Sequence, residues 1–176
     1  MPVGLQMLEA ANLEALRIAA EAELDFIRAE GFVFAHIGGS GIIEGSGGKL
    51  LRLRKKLNAE NIKIYADVKK KHCSHAFTQD LSIKDVVKQT DFFRADGIII
   101  TGGFTGEEAK VEEVEEAKSV TKLPVLIGSG ITPENIDKYM GVADGFIVGS
   151  YFKNDGEWQN PVDPQKVIKL VMARGK

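Results

Sequence analysis

Two groups of residues in this 176-residue sequence have the types and spacing to do chemistry. The first lies in Pro124-Val-Leu-Ile-Gly-Ser-Gly-Ile-Thr-Pro-Glu-Asn135, an apolar run that enters a Gly-Ser-Gly turn and then a Thr-Pro helix start. Glycines at 128 and 130 let backbone N–H groups close on an anion, and a helix N-terminus beside them would add about 0.3–1 kcal/mol. The next apolar run, Gly145-Phe-Ile-Val148, ends in Gly149 and Ser150. Gly128, Ser129, Gly130, Gly149 and Ser150 are therefore the expected phosphate ligands, with plain tight turns as the competing explanation.

The second group follows Asp67 in Asp-Val-Lys-Lys-Lys-His-Cys-Ser-His75. A carboxylate at a strand end beside ammonium groups suits proton transfer or anion neutralisation. Asp67 or Glu30 is the expected acid/base, and Lys69, Lys71 or His72 the expected stabiliser of developing negative charge. Strand alternation predicts Asp67 and Lys69 on one side; a solvated basic loop is the alternative, as is a structural ion pair between Arg28 and Glu30. Thr101, Gly102 and Thr105, at a third Gly-rich strand end, are expected against substrate oxygens. His72, Cys73 and His75 match no standard zinc spacing, so neither metal nor cofactor is expected. G-x-G-x-x-G, Walker-type and G-x-S-x-G patterns are not found at the strand ends.

The elements that must position these residues are legible as alternation. Short apolar runs at Val3–Leu8, Leu24–Ala29, Ile62–Val68, Gly97–Thr101, Pro124–Ile127 and Gly145–Val148 are separated by amphipathic stretches. Leu50, Leu53 and Leu57 oppose Arg52, Arg54, Lys55 and Lys56 at helical spacing, and Ile83, Val86, Val87 and Phe93 repeat the pattern. Thr132-Pro133, Asp163-Pro164 and Ser82 with Asp85 read as helix starts. The acidic run from Glu107 to Glu116 reads as a solvated helix face. Strict strand-helix alternation predicts an α/β single domain over 1–176 with a parallel sheet and right-handed crossovers. The stretch from Gly38 to Gly48 holds six glycines in eleven positions, too many for a rigid element, and is expected to be a mobile lid or a featureless connector. A full (β/α)8 TIM barrel takes about 250 residues, so about six units point to an incomplete barrel, with an open doubly wound sheet as the alternative.

Composition removes other classes. A net charge of −2 gives no field to hold a phosphate backbone, so no nucleic-acid partner is expected. The single cysteine cannot form an internal disulfide. No apolar run approaches the ~20 residues of a membrane span, and no signal peptide is visible, so a soluble chain in cytoplasm or an organelle interior is expected, with homo-oligomerisation as a way to cover open strand edges.

Taken as a set, Phe26-Ile-Arg28, Gly41-Ile-Ile-Glu-Gly45, Ala66-Asp-Val68 with His72, Thr101-Gly102 with Thr105-Gly106, Gly128-Ser-Gly130, Asp144-Gly-Phe-Ile-Val-Gly149 and Asn160-Pro-Val-Asp163 resemble the BtpA family from Val3 onward. The resemblance implies a phosphate-binding TIM barrel. It also implies that two N-terminal strand-helix units of the family are lacking here, as in a fragment, a shortened isoform or an incomplete gene model. Titratable groups at strand ends opposite a phosphate grip point to an enzyme, or its remnant, acting on a phosphorylated small molecule such as a sugar phosphate or nucleotide; the resemblance implies as the alternative a non-catalytic assembly factor like the one that lets cyanobacteria accumulate photosystem I proteins.

Overall fold

The computed structural model describes residues 1–174. Strands β1 (Gly4–Gln6), β2 (Phe26–Ala29), β5 (Lys63–Val68), β6 (Gly97–Ile100), β7 (Val125–Ile127) and β8 (Gly145–Phe146) form one sheet in that spatial order. Every neighbouring pair is parallel. The strands curl into a half-barrel, which settles the choice between closed-type and open sheet in favour of TIM-barrel architecture.

Alternation along each strand separates two environments. Ile27 and Ala29, Ile64, Ala66 and Val68, Ile98 and Ile100, and Val125 and Ile127 are buried under the helices. Residues between them face the concave side, where the Phe26 and Tyr65 rings meet edge-on at 5.6 Å. Gly97 is required there, because a Cβ would lie 2.3 Å from the Tyr65 ring. Helix α1 (Asn12–Glu21) packs Ala15, Leu16 and Ala19 against β1 and β2, next to Leu50 of α2 (Gly47–Lys56). Helices α3 (Ile83–Phe92) and α4 (Val111–Lys118) pack Val86, Val87, Val114 and Ala117 over β6 and β7. On α4, Glu112, Glu115 and Glu116 face water as expected, but Glu107 and Glu108 precede the helix, which starts only at Val111.

Two of the expected helix starts are present. Asp163 accepts from the Gln165 backbone N–H at 2.8 Å at the head of α5 (Pro164–Arg174). Ser82 and Asp85 form a reciprocal capping box, with Asp85 N–H donating to the Ser82 hydroxyl at 3.2 Å and Ser82 N–H to the Asp85 carboxylate at 3.0 Å. Replacing Ser82 by Ala should cost about 0.5–2 kcal/mol, read as a lower urea midpoint with unchanged slope; an unchanged midpoint would mean that the box is redundant.

Two expectations need correction. The Gly-rich stretch is not structureless: β3 (His36–Gly38) pairs antiparallel with β4 (Gly41–Ile43) in a hairpin, and α2 begins at Gly47. The tight turn at Gly39-Ser40 is held by Glu9, whose carboxylate accepts from the Ser40 hydroxyl at 2.5 Å, and glycine supplies φ +107° at Gly41. Thr132-Pro133 likewise opens no α-helix, only a 3-10 turn at Ile136–Lys138. Asn135 ties the loop to itself, accepting from Thr132 N–H at 2.8 Å and donating to the Gly130 carbonyl at 2.7 Å. A three-residue turn has no useful macrodipole, so anion binding near Gly128 must rest on backbone N–H groups and cations.

Candidate functional site

The concave face gathers charge at the C-terminal strand ends. Asp67, at the end of β5, is buried, and Arg28 of β2 grips it as a fork: Nε donates to Oδ1 at 3.0 Å and to Oδ2 at 3.1 Å, and Nη2 lies 3.0 Å from Oδ1. The parallel register sets Arg28 beside Tyr65, so its side chain reaches diagonally to Asp67. Burial pushes the Asp67 carboxyl up from its ordinary range, against the opposing charge and hydrogen bonds of Arg28.

Glu30 is buried in a separate pair. Its carboxylate accepts from Lys70 Nζ at 2.7 Å, from Gln6 Nε2 at 2.8 Å and from the Ala10 backbone N–H at 3.3 Å. Burial alone would lower the Lys70 ammonium, but its bond to Glu30 and that carboxylate's charge raise it. The Arg28–Glu30 pair suggested by sequence is therefore not formed; each partner is taken by a residue about forty positions away across the sheet.

The three consecutive lysines part company after Val68. Lys69 adopts φ +45°, which breaks strand alternation, and its ammonium donates to the Leu81 carbonyl at 2.5 Å. Asp67 and Lys69 still line one small cavity of 20 Å³, but they do not pair: Asp67 is held by Arg28, and Lys69 lines neither of the two larger cavities that share Arg28 and Lys71. Lys71 turns inward, its backbone N–H donating to Thr101 Oγ1 at 3.1 Å and its Nζ 3.5 Å from Ser129 Oγ. Burial and the nearby Arg28 charge lower the Lys71 ammonium from its ordinary value, with Asp67 opposing. His72 Nε2 and Thr105 Oγ1 are 2.8 Å apart, whereas His75 turns to the Lys70 carbonyl at 2.9 Å.

Two adjoining cavities result. The larger, 540 Å³, is lined by Gly128, Ser129 and Gly130 from one strand end, by Gly149 and Ser150 from the next, and by the cations Arg28 and Lys71. The smaller, 410 Å³, holds Glu30, Asp67 and His72, and shares Arg28, Lys71, Thr105 and Trp158 with the larger. Most sequence-derived residues thus meet at one place. Thr101 is buried and orients the Lys71 backbone, and Gly102 lies where a Cβ would strike the Glu107 carbonyl at 2.4 Å. Sequence reasoning missed Arg28 and Trp158 as cavity residues. An arginine inside the buried run Phe26-Ile-Arg-Ala29 was the available signal, since a charge there requires a partner; Trp158 carried none.

The architecture can be compared with known proteins. A sequence model of the BtpA family matches residues 1–176. The chain belongs to the BtpA family. It is 49% identical over 168 residues to an uncharacterised mitochondrial protein of Caenorhabditis elegans, covering 96% of this chain and 60% of that protein. A Synechocystis relative named as a photosystem I biogenesis protein is 34% identical over 175 residues, covering 98% of this chain and 60% of its own. This BtpA-family chain thus spans about three fifths of the length of those two relatives. Solved structures agree on the fold alone. N-(5′-phosphoribosyl)anthranilate isomerase from Pyrococcus furiosus superposes with TM-score 0.66 at 14% identity, covering 99% of this chain and 74% of that one. For 3-hexulose-6-phosphate synthase from Salmonella typhimurium the values are 0.63, 13%, 93% and 68%. No helix among the described residues is long and apolar enough to cross a membrane.

Proposed function

We propose that the chain binds a phosphorylated small molecule, such as a sugar phosphate or nucleotide, and acts on it as an enzyme. The observation that carries this reading is the convergence of Gly128-Ser-Gly130 and Gly149-Ser150 on one cavity that also presents Arg28 and Lys71. Small residues leave backbone N–H groups accessible to an anion, and the Arg28 guanidinium and the Lys71 amine at the same mouth supply further N–H donors. In TIM barrels, phosphate is frequently held between the loops after the last two strands, the place these residues occupy. Two of the fold's neighbours carry phosphorylated compounds in their names, which supports the reading by analogy.

Asp67 and Glu30 are the proton carriers in this proposal, with Lys71 and His72 stabilising negative charge as it develops in the adjoining cavity. Lys69, turned onto Leu81, takes no part. A phosphorylated ligand at ~100 times its Kd should stabilise the chain by ~2.7 kcal/mol, a rise in Tm of roughly 5–11 °C for a chain of this size. Gly149→Asp is the matching control. Gly149 has φ −118° and a Cβ there meets no atom within 4 Å, so the carboxylate enters the cradle without strain and should abolish the shift while leaving the unliganded Tm nearly unchanged. An equal shift in both proteins would remove the phosphate from this cradle.

A second reading follows from the Synechocystis relative's name: the half-barrel serves as a docking platform in the assembly of a protein complex. A complex captured equally well by the Gly149→Asp chain, with no metabolite raising the Tm of the unaltered one, would favour it.

A further inference from the structure

The Lys69-Lys70-Lys71 run places three ammonium groups in three different environments. Lys69 is tied to a carbonyl and Lys70 to the Glu30 carboxylate, both in close hydrogen bonds. Lys71 has no carboxylate within salt-bridge distance among the described residues; its Nζ has one long contact, 3.5 Å to Ser129 Oγ. It also stands where the two cavities join, lining both. A substrate with its phosphate at Gly128–Ser150 would carry its neighbouring carbon atoms past this nitrogen toward Asp67, Glu30 and His72.

We propose that Lys71 is a nucleophile, forming an imine with the carbonyl carbon of a phosphorylated aldehyde or ketone held in this cavity. The inference rests on the phosphate reading, adds to it the class of substrate, and makes Lys71 a neutral nucleophile in place of a charge-stabilising cation, leaving the backbone N–H groups and Arg28 to hold the phosphate. Imine chemistry needs an unprotonated amine close to a carbonyl, and enzymes obtain it by burying a lysine beside another cation. Lys71 meets both conditions: it is half-buried and its neighbour is Arg28, whose own charge is committed to Asp67 but still repels an ammonium. Thr101, by holding the Lys71 backbone, keeps the amine aimed inward. In the reaction the Nζ lone pair adds to the carbonyl carbon, the carbon–oxygen bond then breaks, and the oxygen leaves as water with the two amine protons. No oxidant or metal is consumed.

Reductive trapping tests it. The full chain is incubated with glyceraldehyde 3-phosphate and cyanoborohydride, which reduces the imine to a stable secondary amine, and the modified lysine is located by peptide mass mapping. A half-buried amine beside a cation is neutral in a larger fraction than a surface lysine, so Lys71 should be labelled first and the surface lysines only on longer exposure. Labelling should fall when inorganic phosphate competes and when unphosphorylated glyceraldehyde replaces the probe. Lys71→Arg, which keeps a cation but forms no imine, should lose the adduct while melting cooperatively. Labelling spread evenly over the surface lysines, with phosphate still raising the Tm, would overturn the imine and leave the phosphate reading intact. An absent phosphate shift, with equal labelling by both aldehydes, would overturn the phosphate reading and the imine with it.

Discussion

Replacing Arg28 by Met should destabilise the chain by about 3–5 kcal/mol, because it strands the Asp67 carboxylate in a buried site without its fork of donors. Urea denaturation of the single variant and of Arg28→Met/Asp67→Leu separates the causes. Removing both charges replaces an ion pair by packed apolar groups and should recover most of the loss. A double variant as unstable as the single one would mean that Arg28 contributes packing rather than charge compensation. The pH dependence has a definite sign. Asp67 has a folded-state pKa raised by burial, so the native chain binds its proton more tightly than the unfolded chain does. Its ionisation therefore costs stability as pH rises from the ordinary carboxylate range through the raised value, and the cost vanishes below that window. Without Arg28 the pKa rises further, so the deficit of Arg28→Met should shrink on acidification; a deficit independent of pH would place the cause elsewhere.

Gly130→Ala should cost about 2–5 kcal/mol, whereas Gly149→Ala should be close to neutral, although both glycines line the same cavity. Gly130 has φ +71°, which burdens any L-residue by about 1–2 kcal/mol, and its Cβ would lie 2.5 Å from the Glu107 carbonyl and the Glu108 nitrogen. Backbone cannot move aside as a flexible side chain can, so overpacking adds about 1–3 kcal/mol. The loop after β7 and the segment that leads into α4 are thereby packed backbone to backbone, and a side chain at 130 would push them apart. Thermal unfolding of the two alanine variants decides this; equal losses would show that neither the left-handed φ nor the backbone contact at 130 adds a cost. Because Gly130 is structurally demanding, its variants confuse folding with ligand binding, and Gly149 is the cleaner place to probe the anion.

The family's barrel-type order of parallel strands was legible in the six apolar runs, and each strand lies within its run. Two helix starts were legible for the same local reason: a Ser-x-x-Asp box and an Asp-Pro step act within a single turn of chain. The hairpin at His36–Ile43 was not, because its glycines score as disorder until Glu9, some thirty residues earlier, is brought against Ser40. Thr132-Pro133 misled for a related reason, since Asn135 uses both ends of its amide to close the loop on Gly130 and Thr132 before a helix can propagate.

For the candidate site the division is sharper. The residue types at the strand ends, glycines and serines at 128–130 and 149–150 and charge at 67–72, were determined by the sequence alone, because strand ends are recognisable where an apolar run stops. Which charge meets which was decided only by the tertiary structure. Arg28 finds Asp67 and Glu30 finds Lys70 through parallel register, across about forty residues of chain. The fate of three identical lysines hangs on one left-handed residue, Lys69, which sends its own ammonium to Leu81 and lets Lys71 turn into the cavity. Side-chain type is a local property; the partner that sets its protonation and reach comes from a neighbouring strand, and only folding brings the two within hydrogen-bonding distance.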